Sequence, residues 1–398
     1  MDGLRSRSES LYTGVSMKTT VLRPSCFAAL VVAMFAALPV FSQQPLAPVS
    51  PEVHPDHTVT FRLLMPNAQK VSVKLETAQN LPLTKDAEGL WSVTTPVLEP
   101  DLYGYVFDVD GTLVVDPQNT SYKSNLLSPS NLLDVPGDVP QPWDRTDIPH
   151  GELHHHFYHS AVIGDDRDYF VYTPPGFDAR AKTKYPVLYL LHGFSDDASG
   201  WSEVGKANFI LDSLIAQGKA KPMLVVMTLG YGVPNYASHN SHNFDDPELT
   251  QHNVDKFRDA LLTEVIPQVE RSYKVSSDRK DRAIAGLSMG GSESLYTGLN
   301  NLDKFAWIGS FSMGGLTNGV ARDNYSQIFP ALSAKDADRI KLLWIACGTS
   351  DHLLDSNHKF IAWVNAQGIK PTTIETPGAH TWMVWRRNLT TFAPLLFR

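Results

Sequence analysis

The chain has 398 residues, 42% of them hydrophobic and 19% charged, and a formal net charge of −8. That length exceeds one ordinary core, and the composition excludes a disordered chain. Lys and Arg form no dense run anywhere, which excludes a nucleic-acid partner.

Arg5, Arg7, Lys18 and Arg23 precede an apolar stretch from Cys26 to Phe41, which stops at Gln43-Gln44-Pro45. The stretch is short for a membrane span, and Val40-Phe41-Ser42 suits a signal peptidase. Residues 1–42 are therefore expected to be a signal peptide with an upstream extension that ends before Met17. The mature protein is expected to be secreted or periplasmic, with no membrane association after cleavage. Cleavage removes Cys26 and leaves Cys347 alone, so no intramolecular disulfide is expected.

Residues 43–57 carry Pro45, Pro48, Pro51 and Pro55 and have the composition of a linker. Over residues 58–120 the apolar residues alternate: Val59, Phe61, Leu63, then Val71, Val73, Leu75, then Tyr103, Tyr105, Phe107, Val109. Turn residues at Met65-Pro66-Asn67, Asp86-Ala87-Glu88-Gly89 and Asp110-Gly111 separate these runs. The pattern predicts a small all-β immunoglobulin-like sandwich that folds by itself, with most of Trp91, Tyr103 and Tyr105 in its core. Residues 121–150, rich in proline, read as a connector.

From residue 151 to 398 the pattern changes. Val187–Leu191, Met223–Met227, Ala283–Ala285 and Leu342–Ala346 are continuous apolar runs, as expected of strands buried on both faces. Between them Lys256–Tyr273 places Phe257, Leu261, Val265 and Val269 on one helical side. Strands alternating with amphipathic helices predict a doubly wound α/β sheet.

Gly286-Leu287-Ser288-Met289-Gly290 joins one of these strands to a helical stretch. That context suits the nucleophile elbow of an α/β-hydrolase, where a sharp turn lifts a serine off the sheet. Ser288 is the expected nucleophile. The expected oxyanion donors are the backbone N–H groups of Met289, which follows it, and Phe194, in Leu191-His192-Gly193-Phe194. His192 is expected to order that loop. In this fold the acid follows the nucleophile and the histidine comes last. Asp351, directly after the strand ending in Gly348-Thr349-Ser350, is the expected acid, with Asp355 as the alternative. His380, in Pro377-Gly378-Ala379-His380, is the expected base. His154-His155-His156 with His159 match no zinc spacing, so neither a metal nor another cofactor is expected.

Five blocks in order carry a resemblance: Tyr172-Thr173-Pro174-Pro175-Gly176-Phe177, Leu190-Leu191-His192-Gly193, Gly286–Gly291, Gly348–Asp351 and Gly378–Trp382. The chain resembles the esterase D-like carbohydrate esterases over residues 155 to 398. Residues 55 to 120 are similar to the carbohydrate-module-like sandwich that often precedes such enzymes. The resemblance implies a serine esterase of the feruloyl esterase type, releasing hydroxycinnamate from a feruloylated plant polysaccharide or oligosaccharide. Acetyl xylan or siderophore esterase is the alternative within the class. A glycan-binding protein with a vestigial hydrolase domain is the alternative outside it. A flat aromatic acid needs an apolar slot, for which Trp201, Tyr231 and Trp382 are the candidates.

Overall fold

The structure, a computed structural model, describes residues 47–76, 80–180, 182–238, 245–316 and 323–398. The expected leader lies outside the described residues. Residues Pro48–Arg398 form one compact unit.

Alternation in the first part does produce a sandwich. Val59–Leu64 pairs with Leu90–Thr94 in one antiparallel sheet, and Val71–Leu75 pairs with Asp101–Val109 in the other. Phe61, Val73, Trp91, Tyr103, Tyr105 and Phe107 point between the sheets and form its core. The sandwich exceeds the expected bounds at both ends. Glu52–Val53, in the expected linker, pairs with Val59–Thr60. Ser130–Val135, in the expected connector, pairs with Asp101–Tyr105, and Tyr122–Lys123 adds a further short strand. The flanking prolines hid these strands, because a proline-rich composition reads as loop.

The larger sheet has eight strands: β1 (Glu152–Ser160), β2 (Asp165–Thr173), β3 (Val187–Leu191), β4 (Leu224–Thr228), β5 (Arg282–Leu287), β6 (Trp307–Phe311), β7 (Leu342–Gly348) and β8 (Thr372–Thr376). Their order is β1-β2-β4-β3-β5-β6-β7-β8. β1 and β2 are antiparallel to each other, as are β2 and β4, and the remaining pairs are parallel. Leu188 and Leu190 face one core, while Val187, Tyr189 and Leu191 face the other. Burial on both faces explains the unbroken apolar runs.

The helices that matter below are α1 (Ala207–Ala216), α2 (Pro247–Ala260), α3 (Met289–Asn300), α4 (Leu354–Ala366) and α5 (Trp382–Phe392). α1 and α5 cover one face; α2, α3 and α4 cover the other. α2 starts nine residues before the expected Lys256. Asp246 caps it by accepting from the Glu248 and Leu249 N–H groups, and Pro247 takes the first helical position. A π-helical turn at Leu261–Val265 then links it to Ile266–Ser272.

The sandwich does not stand apart as the alternation suggested. Its second sheet is buried on both faces. Tyr103 and Leu133 face its own core, while Leu102 and Leu132 join the core containing Trp201, Trp382 and Trp385. Met383 of α5 reaches back into the sandwich core. Asp101 and Arg386, both with fully buried side chains, form an ion pair at 2.8 Å across the junction. Arg386 also donates to Leu102 O at 2.6 Å and Val204 O at 3.0 Å, and its guanidinium lies 5.5 Å from the Trp143 ring centre. Arg387 binds the other Asp101 oxygen at 2.6 Å.

Removing one partner of a buried ion pair leaves an uncompensated charge, which costs about 3–5 kcal/mol. Arg387 still pairs with Asp101 after Arg386→Ala, so the loss expected in urea titration is the lower end of that range, about 3 kcal/mol; a change below about 1 kcal/mol would show the pair to be energetically idle. A chain truncated to begin near Pro142 loses Asp101 and one wall of the shared core. It is expected to be insoluble or to lose cooperative unfolding, and a soluble chain melting cooperatively near the parent's temperature would contradict the shared core.

Candidate active site

β5 ends at Leu287 and α3 begins at Met289, so Ser288 alone makes the turn. Its backbone sits at φ 51°, ψ −115°, a conformation that side-chain-bearing residues rarely adopt. The turn is held by Ser288 N–H donating to Phe311 O at 2.9 Å, and by Gly314 N–H donating to Ser288 O at 3.0 Å. It also requires glycine beside it. A Cβ on Gly290 would lie 2.4 Å from His192 O, and one on Gly286 would lie 2.4 Å from Gly290 O. The glycines of the motif thus let β3, β5 and α3 meet directly beneath the serine.

The parallel register sets the ends of β3, β5, β6 and β7 in a row, with Leu191 beside Gly286 and Leu287 beside Phe311. Loops leaving these ends converge on Ser288. His380 Nε2 lies 3.0 Å from Ser288 Oγ, and His380 Nδ1 lies 2.9 Å from Asp351 Oδ2. Since Asp351 is an acceptor when ionised, Nδ1 carries the proton and Nε2 faces the serine hydroxyl with its lone pair. Burial pushes the Asp351 carboxyl up, but the bond and charge of His380 and the Leu353 N–H outweigh it and hold the group below its ordinary value. Asp355, the alternative acid, is exposed on α4. The single cysteine beside the site, Cys347, is buried, which pushes its thiol up to about 12 and keeps it protonated.

Phe194 lines the cleft above Ser288, and Met289 opens α3, where a backbone N–H has no acceptor within the helix. His192 is fully buried. Its Nε2 accepts from Gly230 N–H at 2.8 Å, so Nδ1 holds the proton and donates to Gly193 O at 2.7 Å. Burial pushes its pKa down to about 4, so it stays neutral and ties two loops together.

The cleft over Ser288 has a volume of about 170 Å³. Leu287, Phe194, Trp382 and Trp385 make an apolar wall, and Glu76, Lys123 and Asn125 make a polar wall from the N-terminal part of the chain. Of the three aromatics expected to touch substrate, Trp382 alone lines the cleft. Trp201 lies wholly inside the core, donating to Leu191 O at 2.8 Å and packing edge-on against Trp382. Tyr231 is buried behind the Gly193–Asp197 loop, where its hydroxyl donates to Asp196 O at 2.8 Å. Both were near the right loops in sequence, but proximity along the chain does not separate rim from core.

Trp385 went unpredicted. It follows Trp382 by three residues on one face of α5, and its ring meets the His380 ring edge-on at 4.9 Å. Its indole N–H donates to Ser312 Oγ at 3.2 Å, which fixes that contact. The histidine run on β1 is dispersed among partners. His155 binds Asp168, His159 binds Asp166 and His156 meets the Tyr273 hydroxyl. Among the described residues, three metal-binding side chains gather at Asp351, His352 and His380, where two of them are already committed to each other.

Asp196, two residues after Phe194, carries a buried carboxyl. Burial pushes it up to about 7, with Asp197 and Glu76 adding to the push and Lys123 and Asn125 opposing it. The folded state thus binds this proton more tightly than the unfolded chain, whose carboxyl titrates near about 3.9. The favourable contribution is complete below that value and is lost as pH rises through about 7. Asp196→Asn keeps the acceptor oxygen and removes the charge. It is expected to raise the melting temperature more at about pH 8 than at about pH 5, and an equal shift at both would contradict this assignment.

The Esterase family profile matches residues 160–396, more than half of the chain. Residues 49–121 match carbohydrate-binding module 48, the isoamylase N-terminal domain. An endo-1,4-beta-xylanase/feruloyl esterase of Xylanibacter ruminicola is 30% identical over 355 residues, which cover 87% of this chain and 46% of the relative. The chain thus spans just under half of that protein's length. Among solved structures, a CE1 ferulic acid esterase from Anaeromyces mucronatus is 25% identical with a TM-score of 0.55, over 65% of this chain and 96% of that one. The enterobactin esterase of Shigella flexneri, at 19% identity and a TM-score of 0.62, shares the fold over 85% of this chain and 92% of its own. By the family match and the elbow that it spans, the chain belongs to the Esterase family and carries a module-48-like β-sandwich on its N-terminal side.

Proposed function

We propose that the protein releases ferulate or a related hydroxycinnamate from feruloylated plant cell-wall polysaccharide through an acyl-enzyme. The observation that carries the reading is the hydrogen-bonded line Ser288–His380–Asp351 opening onto a cleft walled by Trp382 and Trp385. The names of the xylanase/feruloyl esterase relative and of the ferulic acid esterase structure support that substrate class. The leader-like N-terminus supports an exported enzyme, which is where such a polysaccharide is met.

Ser288 Oγ attacks the ester carbonyl carbon as His380 Nε2 takes its proton. The carbonyl oxygen becomes an oxyanion and turns to the N–H groups of Phe194 and Met289. Asp351 stabilises the imidazolium and fixes its orientation. Collapse of the tetrahedral intermediate breaks the bond to the sugar oxygen, which leaves with the proton from His380. Water then attacks the acyl-enzyme, giving its proton to His380; collapse breaks the bond to Ser288 Oγ, which takes that proton back from His380 as the free acid is released. No step calls on a metal, so EDTA is expected to leave the rate unchanged.

The test is a comparison of kcat/KM on methyl ferulate, acetylated xylan and a cyclic catecholate siderophore. Methyl ferulate is expected to exceed both others by at least about tenfold, the range that a pocket fitted to one apolar group supplies. Faster turnover of either competitor would move the enzyme to the acetyl or siderophore class.

A further inference from the structure

The polar wall of the cleft comes from a part of the chain with no catalytic motif. Ser124, Asn125 and Leu126 follow the sandwich strand Tyr122–Lys123 and lie directly on the loop Gly193–Asp197. We propose that Asn125, helped by Ser124, is a positioning residue for the reaction: it holds the loop whose Phe194 N–H completes the oxyanion hole. This rests on the assignment of Ser288 as nucleophile.

Four bonds make the clamp. Asn125 Nδ2 donates to Ser195 Oγ and to Asp196 Oδ1, each at 3.0 Å. Leu126 N–H donates to Ser195 O at 2.7 Å, and the Ser124 hydroxyl donates to the Asp197 carboxylate. Asn125 Oδ1 meanwhile accepts from Leu127 N–H at 3.0 Å and Ser128 N–H at 2.8 Å. Those two bonds fix which end of the amide is the donor, so the NH2 group must face the loop. The amide is thus ordered on one side by its own turn and spent on the oxyanion loop on the other.

The loop needs such a hold. Ser195, next to Phe194, sits at φ 68°, a left-handed conformation that a non-glycine residue keeps only when its surroundings impose it. On its inner side the loop is propped by the Tyr231 hydroxyl, which donates to Asp196 O at 2.8 Å, and by Asp196 N–H donating to Gly193 O at 3.2 Å. The outer side is met by Ser124–Leu126. If that outer hold is lost, Ser195 can relax and turn the Phe194 N–H away from the carbonyl. An oxyanion donor acts only at hydrogen-bond distance from the developing charge, so a small rotation removes its contribution.

The experiment uses the full chain with Asn125→Ala, Asn125→Asp and Ser124→Ala. Asn125→Asp keeps the acceptor that orders the turn and deletes the two donors that reach the loop. For Asn125→Ala and Asn125→Asp, kcat on methyl ferulate is expected to fall by about 10- to 100-fold, as for a misplaced donor and short of the roughly 100- to 1000-fold that outright loss of one costs. KM should stay within about twofold, because the ground-state carbonyl gains little from the hole. Affinity for a trifluoromethyl ketone analogue should fall by the same factor as kcat/KM, with the melting temperature nearly unchanged. Ser124→Ala should show the same pattern to a smaller degree, and it carries the test if the Asn125 variants do not fold. An unchanged kcat in a folded Asn125 variant, or a rise in KM alone, would overturn the proposal, since either describes a docking or substrate contact. A fluorophosphonate probe keeps the two claims apart. Failure to label Ser288 in the unsubstituted protein would overturn the nucleophile assignment and the clamp with it.

Discussion

Replacing Ser288 with alanine is expected to lower kcat by about a millionfold while leaving the fold intact, as loss of the nucleophile does in other serine hydrolases. The hydroxyl makes one side-chain bond, to His380, and its removal leaves the turn bonds from Ser288 N–H to Phe311 O and from Gly314 N–H to Ser288 O in place. Alanine carries the same left-handed backbone strain as serine, so the elbow should survive. Melting temperature and circular dichroism should match the parent, and a fluorophosphonate should label the parent alone. More than a few per cent of residual activity would remove Ser288 from the nucleophile's role.

The second large effect concerns the acid. Asp351→Asn is expected to reduce kcat by about ten-thousandfold, because an amide in place of the carboxylate favours the wrong histidine tautomer. The Asp351 carboxylate receives His380 Nδ1–H at 2.9 Å and Leu353 N–H at 2.9 Å. An asparagine can keep the second bond with its oxygen and then presents NH2 to Nδ1, so Nε2 takes the proton and can no longer accept from Ser288. Asp355→Asn, on the exposed side of α4, should behave as the parent. If the two variants rank the other way, the acid lies at Asp355 although the distances favour Asp351.

That Ser288, Asp351 and His380 come together could be read from the sequence because each follows a strand end and their order in the chain suits the topology of the sheet. β5 and β7, the strands behind Ser288 and Asp351, announced themselves as apolar runs, since burial on both faces suppresses polar residues. β1 gave no such sign. Its outward side carries His155, Phe157 and His159, all exposed, so its alternation is not between apolar and polar. β6 was missed because Trp307-Ile308-Gly309-Ser310-Phe311 interrupts its apolar residues with Gly309 and Ser310, the latter beneath Gly291.

The polar wall was out of reach for a different reason. Glu76, Lys123 and Asn125 reach the cleft through tertiary packing of one part of the chain on another, and nothing local marks them. For the same reason the sandwich was expected to stand alone. The period-two pattern of Asp101–Val109 shows which side chains face the sandwich core, but cannot show that the other side packs beneath α5. The pair Asp101 and Arg386 is 285 residues apart in sequence.

In the proposed reaction an ester's acyl group, a hydroxycinnamate, passes through Ser288. The most direct measurement is to mix the enzyme with methyl ferulate, quench with acid within the first turnovers, and map the peptides by mass spectrometry. A feruloyl group is expected on the peptide carrying Ser288, its amount rising in a burst and absent in Ser288→Ala. A feruloyl group on any other residue, or steady turnover with no adduct in a quench fast enough to catch one, would contradict it.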